Sequence, residues 1–191
     1  MFSRHFLITF AFSLGCTLVI NNNITNNRSN SYVKSGNIKR NEKFNSEAII
    51  EFTQAIEINP RNISALFYRG VARRDIEDYS GAIADFNKAL EINPKSPSVL
   101  YQRALTKAKL KDLTGEISDY DKLIQINPIQ KDLFGNLFLN NKVNPFFADA
   151  YLNRGLAKQQ LGNINGACLD WGESFQLGFK YAQILLNKNC K

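Results

Sequence analysis

Three arginine–aspartate pairs stand at one fixed separation along the chain: Arg69 with Asp85, Arg103 with Asp119 and Arg154 with Asp170, each sixteen residues apart. A guanidinium and a carboxylate can form a two-pronged ion pair, or together recognise a charged ligand. A catalytic site would break such a pattern once. A pair that returns at the same interval in three places is what a scaffold requires, so an ion pair inside each repeated unit is the expected role. Other reactive groups are few. The only histidine is His5, so the rest of the chain lacks the commonest general base, the commonest metal ligand and every Ser-His or Cys-His nucleophile arrangement. The three cysteines, Cys16, Cys168 and Cys190, are poor material for a zinc site without imidazole partners. No catalytic residue, metal site or cofactor site is expected, and the chain is read as no enzyme.

The elements that must position these pairs are announced by a returning phrase. Ala48, Phe52, Ala55, Asn59 and Pro60 come back as Ala82, Phe86, Ala89, Asn93 and Pro94, and a looser copy ends at Asn127 and Pro128. The prolines set the period, since 94 − 60 = 34 and 128 − 94 = 34. Self-similarity at this interval marks helical hairpins that cannot bury their apolar faces alone and therefore stack.

Over roughly residues 32–181 the sequence resembles the tetratricopeptide repeat (TPR). In that family two antiparallel helices end in a proline turn. The clearest unit, residues 63–96, carries Leu66, Gly70 and Arg73 on its first helix and Ala82, Phe86, Ala89 and Pro94 on its second. Gly70 and Ala82 are small where the helices cross, Phe86 fills the gap between hairpins, and Asp78-Tyr79-Ser80-Gly81 makes the turn. The next unit, residues 97–130, keeps Leu100, Ala104, Tyr120 and Pro128 but has Glu116 where a small residue belongs. A last unit, residues 148–181, has Tyr151, Gly155, Leu161, Gly162, Ala167 and Trp171 in these roles. The first unit, residues 29–62, has a well-formed second helix, whereas residues 32–43 form a poor first helix with Gly36 in it and read as a frayed end. The fold class expected is all-α, a TPR-type α-solenoid of stacked antiparallel helical hairpins, with a capping helix over residues 180–190 that turns Tyr181, Ile184, Leu185 and Leu186 inward.

Residues 131–147 interrupt the period. They include Leu133, Phe134, Leu137, Phe138, Leu139, Val143, Phe146 and Phe147, too many large apolar groups for a solvated loop. They are expected to pack over the array or to offer a contact for a partner. Cys168 opens the last second helix and Cys190 closes the cap. If those helices run antiparallel, start meets end, and a disulfide is expected in an oxidising compartment.

The amino terminus reads as a membrane address. A short basic start with Arg4 and His5 precedes an uncharged apolar run, residues 6–20, closer in length to a secretory segment than to a bilayer span. A cleaved signal peptide, a lipid anchor on Cys16 and a retained anchor over residues 1–20 all remain open. Each places the folded part outside the cytoplasm, in the periplasm or facing away from the cytoplasm on a membrane. Residues 21–31, rich in asparagine, read as a disordered tether, followed by the array over residues 32–191.

The resemblance implies a partner. In the TPR family first helices line a concave groove for a segment of another protein, and the matching positions here are Phe67, Tyr68, Val71, Arg74, Tyr101, Gln102, Leu105, Lys109, Leu152, Asn153, Leu156 and Gln159. Aromatic anchors among amides suit peptide recognition. A subclass that grips chaperone carboxylate tails has set basic and amide positions, which here hold Val33, Asn37, Tyr68, Ser98 and Gln102; only Asn37 fits, so that clamp is absent. The net charge of +7 is spread rather than blocked into a stripe, which argues against nucleic acid. The function expected is a protein-interaction scaffold at the cell envelope. The alternative is a structural or assembly factor whose groove is filled by its own apolar insertion.

Overall fold

A computed structural model describes residues 5–126 and 145–190, with side chains for residues 22–126 and 147–190. Every element among the described residues is an α-helix. The chain forms two compact units, Met1–Ile76 and Glu77–Lys191.

The first unit holds α1 (His5–Asn41), α2 (Asn45–Ile58) and α3 (Ile63–Asp75). Helices α1 and α2 run antiparallel, with Ser29 beside Ala55 at one end and Lys39 paired with Glu51 at the other. Val33, Ala48, Phe52, Ala55, Ala65 and Ala72 form the core, flanked by Tyr32, Ile49, Ile56 and Tyr68.

Two expectations are corrected here. Residues 21–31 are part of α1 rather than a disordered tether, and residues 32–43 are not a frayed end. The asparagine-rich stretch has no apolar stripe of its own, so its helix is secured by polar contacts from neighbours. Asn59 Nδ2 donates to Asn26 Oδ1 at 2.8 Å, Ser29 Oγ donates to the Ala55 carbonyl at 2.8 Å, and Asn62 Nδ2 donates to Ser29 Oγ at 2.8 Å and Asn30 Oδ1 at 3.0 Å. Gly36 is a packing requirement rather than a helix breaker. A Cβ there would lie 2.6 Å from the Phe52 ring, so its absence lets α2 approach.

The second unit holds α4 (Tyr79–Ile92), α5 (Pro97–Lys109), α6 (Leu113–Ile126), α7 (Pro145–Gln160), α8 (Ile164–Gln176) and α9 (Tyr181–Asn189). Each packs on the next in chain order. Asp78, Asp112 and Asn163 start α4, α6 and α8 by accepting a hydrogen bond from the backbone N–H of Gly81, Gly115 and Gly166, each at 2.9 Å, which satisfies one of the donors a helix start leaves over. Phe86, Tyr120 and Trp171 are fully buried at equivalent places. Trp171 fits because Gly155 has no side chain: a Cβ would sit 2.5 Å from the indole Nε1.

First helices end alike in both units. Lys43, Glu77 and Lys111 adopt positive φ of 67°, 66° and 60°, and Gly162 takes the same place with φ of 80°. The left-handed turn ends a helix by satisfying its last carbonyls. Leu161 beside it is exposed, so it marks the turn rather than the core.

The cap α9 buries Ala182 and Leu185, with Leu186 against the core of Leu152, Ala167 and Trp171. Tyr181 and Ile184 are exposed, a correction, because a helix of nine residues resting on one neighbour can bury only one stripe. Among the described residues no helix is long and apolar enough to cross a membrane. The readings of residues 1–20, including lipidation at Cys16, concern side chains outside the described residues, as does the insertion through residue 144. Of the insertion, Phe147 is buried.

Candidate functional site

Helical geometry turns the sixteen-residue interval into a clamp. In the second unit Arg103 on α5 grips Asp119 on α6 with two prongs, Nε to Oδ2 at 2.8 Å and Nη2 to Oδ1 at 2.5 Å. Lys107, one turn further along α5, reaches the same carboxylate at 2.9 Å. Arg154 and Lys158 on α7 repeat this at Asp170 on α8, with Nε at 2.9 Å, Nη2 at 2.5 Å and the lysine at 2.8 Å. Both aspartates are buried, so each costly carboxylate is compensated by two cations. For Arg154 burial pulls the pKa down, but hydrogen bonds and charge from Asp170 and then Asp121 outweigh it, and the net shift is upward. The guanidinium stays charged.

The third arm of each arginine performs a task the sequence reading missed. Nη1 of Arg103 donates to Asn87 of α4 at 2.6 Å, and Nη1 of Arg154 donates to Asp121 of α6 at 2.6 Å. In the first unit Arg69 Nη1 donates to Thr53 of α2 at 3.1 Å. Positions 53, 87 and 121 are themselves thirty-four apart, which is the signal that would have revealed it. In the second unit each of these arginines thus closes its own hairpin and links it to the preceding second helix. Arg69 and Asp85 are each buried.

The expected groove residues divide by burial. In the first unit Phe67 meets Tyr68 edge-on at 5.1 Å, Tyr68 stacks on Phe52 at 5.9 Å, and Arg40 lies 5.5 Å from the Tyr68 ring. Arg74 pairs with its neighbour Asp75 at 2.8 Å. In the second unit Tyr101, Gln102, Leu105, Asn153, Leu156 and Gln159 are half-buried and Lys109 is exposed. Gln159 Nε2 donates to Asn189 Oδ1 at 3.1 Å. Val71 and Leu152 are buried and belong to the core, a correction; Leu152 packs with Ala167 and Trp171 of α8 and with Ala182 and Leu185 of α9.

Cys168 and Cys190 are joined in a disulfide, with Cα atoms 5.8 Å apart, which ties the start of α8 to the end of α9.

Three groups of the second unit stand out by their electrostatics. Burial pushes the Glu116 carboxyl up to about 7, helped by the charge of Asp112. Burial also raises Asp149, partly offset by a hydrogen bond from Tyr101. The Tyr120 phenol is raised by burial and by the charge of Glu116, with Tyr101 and Asp149 adding and Asn153 opposing. Glu116 occupies the row of Ala48, Ala82 and Ala167, where its side chain is enclosed instead of solvated. Asp149 carries no sequence signal.

The expected all-α fold of antiparallel helical hairpins packed in succession is what each unit shows. Residues 63–96 match the family model of the tetratricopeptide repeat. The chain therefore contains a tetratricopeptide repeat. Solved structures of similar fold include MamA, with a TM-score of 0.68 at 20% identity over 81% of this chain and 76% of that one. Another is PilF of Pseudomonas aeruginosa, with a TM-score of 0.65 at 17% identity over 81% of this chain and 63% of that one. A third is the first TPR of Spaghetti (RPAP3) bound to the HSP90 peptide SRMEEVD, with a TM-score of 0.59 at 18% identity over 71% of this chain and 94% of that one. At these identities the likeness is one of fold. Comparison with curated proteins finds no matching sequence.

Proposed function

We propose that this protein is an interaction scaffold whose first-helix faces hold a segment of a partner polypeptide at the cell envelope. The observation that carries the reading is the half-buried mixture of Phe67 and Tyr68 in one unit, and of Tyr101, Gln102, Leu105, Asn153 and Gln159 in the other. Rigid aromatic anchors beside amides that can redirect their hydrogen bonds favour peptide contact. The Spaghetti structure, bound to its peptide, supports the same use of the fold here. The ligand chemistry differs, since of the carboxylate-gripping positions only Asn37 is retained and Val33 is buried.

A place outside the cytoplasm is supported by the basic start and apolar run of residues 1–20 and by the Cys168–Cys190 disulfide, a bond that persists in oxidising compartments. Fractionation of cells expressing the tagged chain should find it in the envelope or periplasm with that bond intact. A reduced protein in the cytosol would remove this part of the proposal. For the scaffold itself, affinity capture with the intact chain is compared with a Phe67→Ala/Tyr101→Ala variant of unchanged helicity. Loss of specific partners from the variant is expected, and equal recovery by both forms would exclude the first-helix faces as the contact.

A further inference from the structure

Helices α4, α5 and α6 border a cleft of about 450 Å³, within the size range of pockets that hold ligands. Its floor is apolar, formed by the buried Leu90 of α4 and Leu100 of α5. Its walls are polar: Asn87 and Glu91 of α4, Arg103 of α5 and Lys122 of α6. Asn87, Glu91 and Lys122 are exposed, so the cleft opens to solvent on their side. None of its lining residues belongs to the first-helix groove positions.

The charge of this cleft follows from what the two clamps do differently. Arg154 and Lys158 of α7 meet two carboxylates, Asp170 and Asp121. Arg103 and Lys107 of α5 share the single carboxylate of Asp119. The row position that offers Asp121 to Arg154 offers the neutral Asn87 to Arg103. Among the described residues the α5 cluster thus carries one positive charge more than its acid offsets. Arg103 also keeps donors in hand. Of the five N–H groups of a guanidinium, Nε and Nη2 give one each to Asp119 and Nη1 gives one to Asn87, which leaves two. Lys122 adds a further cation on the α6 wall. Such a lining suits an anion above an apolar floor. Glu91 refines the choice, because it repels a bare anion and accepts a hydrogen bond from an N–H. A polypeptide carries both groups together, a carboxylate on its side chain and an N–H on its backbone.

We propose that this cleft receives the carboxylate of one aspartate or glutamate side chain of a partner polypeptide, a second contact beside the first-helix faces. The carboxylate accepts hydrogen bonds from the two remaining N–H groups of Arg103 and from the Lys122 ammonium. Its methylene groups lie on Leu90 and Leu100, and Glu91 accepts a backbone N–H of the same segment. The ligand supplies to Arg103 the charge that Asp121 supplies to Arg154.

The test uses the full chain with nitrogen-15 in its arginine and lysine side chains. It is titrated with N-acetyl-glutamate N-methylamide, with the glutamine counterpart and with free glutarate. The Arg103 Nε–H and Lys122 Nζ signals should shift saturably, and the glutamate diamide should bind about tenfold more tightly than either of the others. Lys122→Gln, read at Arg103, should weaken the glutamate diamide about fivefold. Asn87→Asp places a carboxylate of the chain itself beside Arg103, as Asp121 stands beside Arg154. It should abolish the preference for glutamate over glutamine and leave the thermal melt unchanged or raised. Circular dichroism verifies that both variants fold. Equal binding of the two diamides by the native chain, or no saturable shift, would overturn the site. Glutarate bound as tightly as the glutamate diamide would overturn its assignment to a polypeptide. A preference undiminished in both variants would also overturn the site. Each of these failures leaves the first-helix reading standing, since no groove position takes part.

Discussion

Hairpins α5–α6 and α7–α8 carry the same clamp and differ in what lies next to it. In α7–α8 the crossing is made by Gly155 and Ala167, and Trp171 fills the space the glycine leaves. In α5–α6 the matching residues are Ala104, Glu116 and Tyr120, so an acid and a phenol replace an alanine and an indole. Arginine, lysine and buried aspartate are arranged alike in both. The clamp therefore maintains the pairing of helices well enough that the crossing row is free to change. One hairpin uses that freedom for close apolar packing, the other for buried charge.

The largest effect that would sharpen this contrast comes from the aromatic row. Trp171→Ala should destabilise the second unit by about 4 kcal/mol, as expected for deleting a fully buried large side chain. Tyr120→Phe should be neutral or slightly stabilising, because it removes a hydroxyl that has no partner. Denaturant unfolding followed by circular dichroism reads both, and a loss at Tyr120→Phe as large as at Trp171→Ala would erase the distinction.

Next come the clamps, where the hairpins should behave alike. Asp119→Ala and Asp170→Ala each leave an arginine and a lysine without their carboxylate. Each should cost about 3 kcal/mol, the lower end for a broken buried pair because the cations keep some contact with water. The same unfolding measurement checks this, and strongly unequal losses would show that the clamps are not equivalent.

A smaller effect separates the hairpins by pH. Folding raises the Glu116 pKa from 4.5 to about 7, chiefly through burial. The stability tied to its neutral form is complete below 4.5 and is lost as pH climbs through about 7. From about pH 5 to about pH 8 the native chain should lose on the order of 1–2 kcal/mol, with part of the shift set aside for the carboxyl's contact with solvent. Glu116→Gln should flatten that slope in thermal melts taken across the range. A slope that survives the substitution would assign it to another group.

The smallest effect lies in the turns. Lys111 closes α5 at a φ of 60°, where α7 is followed by Gly162. Lys111→Gly should stabilise the α5–α6 hairpin by about 0.5–1 kcal/mol by relieving the left-handed strain of a side-chain-bearing residue. A destabilisation in the same assay would mean that the lysine side chain contributes more than its backbone costs.

Much of this molecule was legible in the sequence because its period repeats both shape and chemistry. Proline spacing set the phase of the helices, and the sixteen-residue interval identified the partners of Arg103 and Arg154. The antiparallel argument brought Cys168 to Cys190. The beginning of the array was not legible. Residues 21–31 lack an apolar stripe, and their helix depends on Asn59, Asn62 and the Ala55 carbonyl, all distant in sequence. Gly36 could have corrected the reading, because it stands thirty-four residues before Gly70. Of the candidate site, Glu116 was visible as an exception in a row of alanines, but its enclosure arises from the packing of neighbouring helices.

That insertion gives the third arm of Arg154 a consequence of its own. Helices α6 and α7 pack directly on each other, and Arg154 reaches Asp121 at 2.6 Å, although the intervening stretch departs from the thirty-four-residue spacing. Their alignment is written in side chains instead of in the length of the connecting peptide. A gene divided within that stretch should accordingly encode two fragments that find each other and reassemble, and the junction is a natural place to accept foreign sequence.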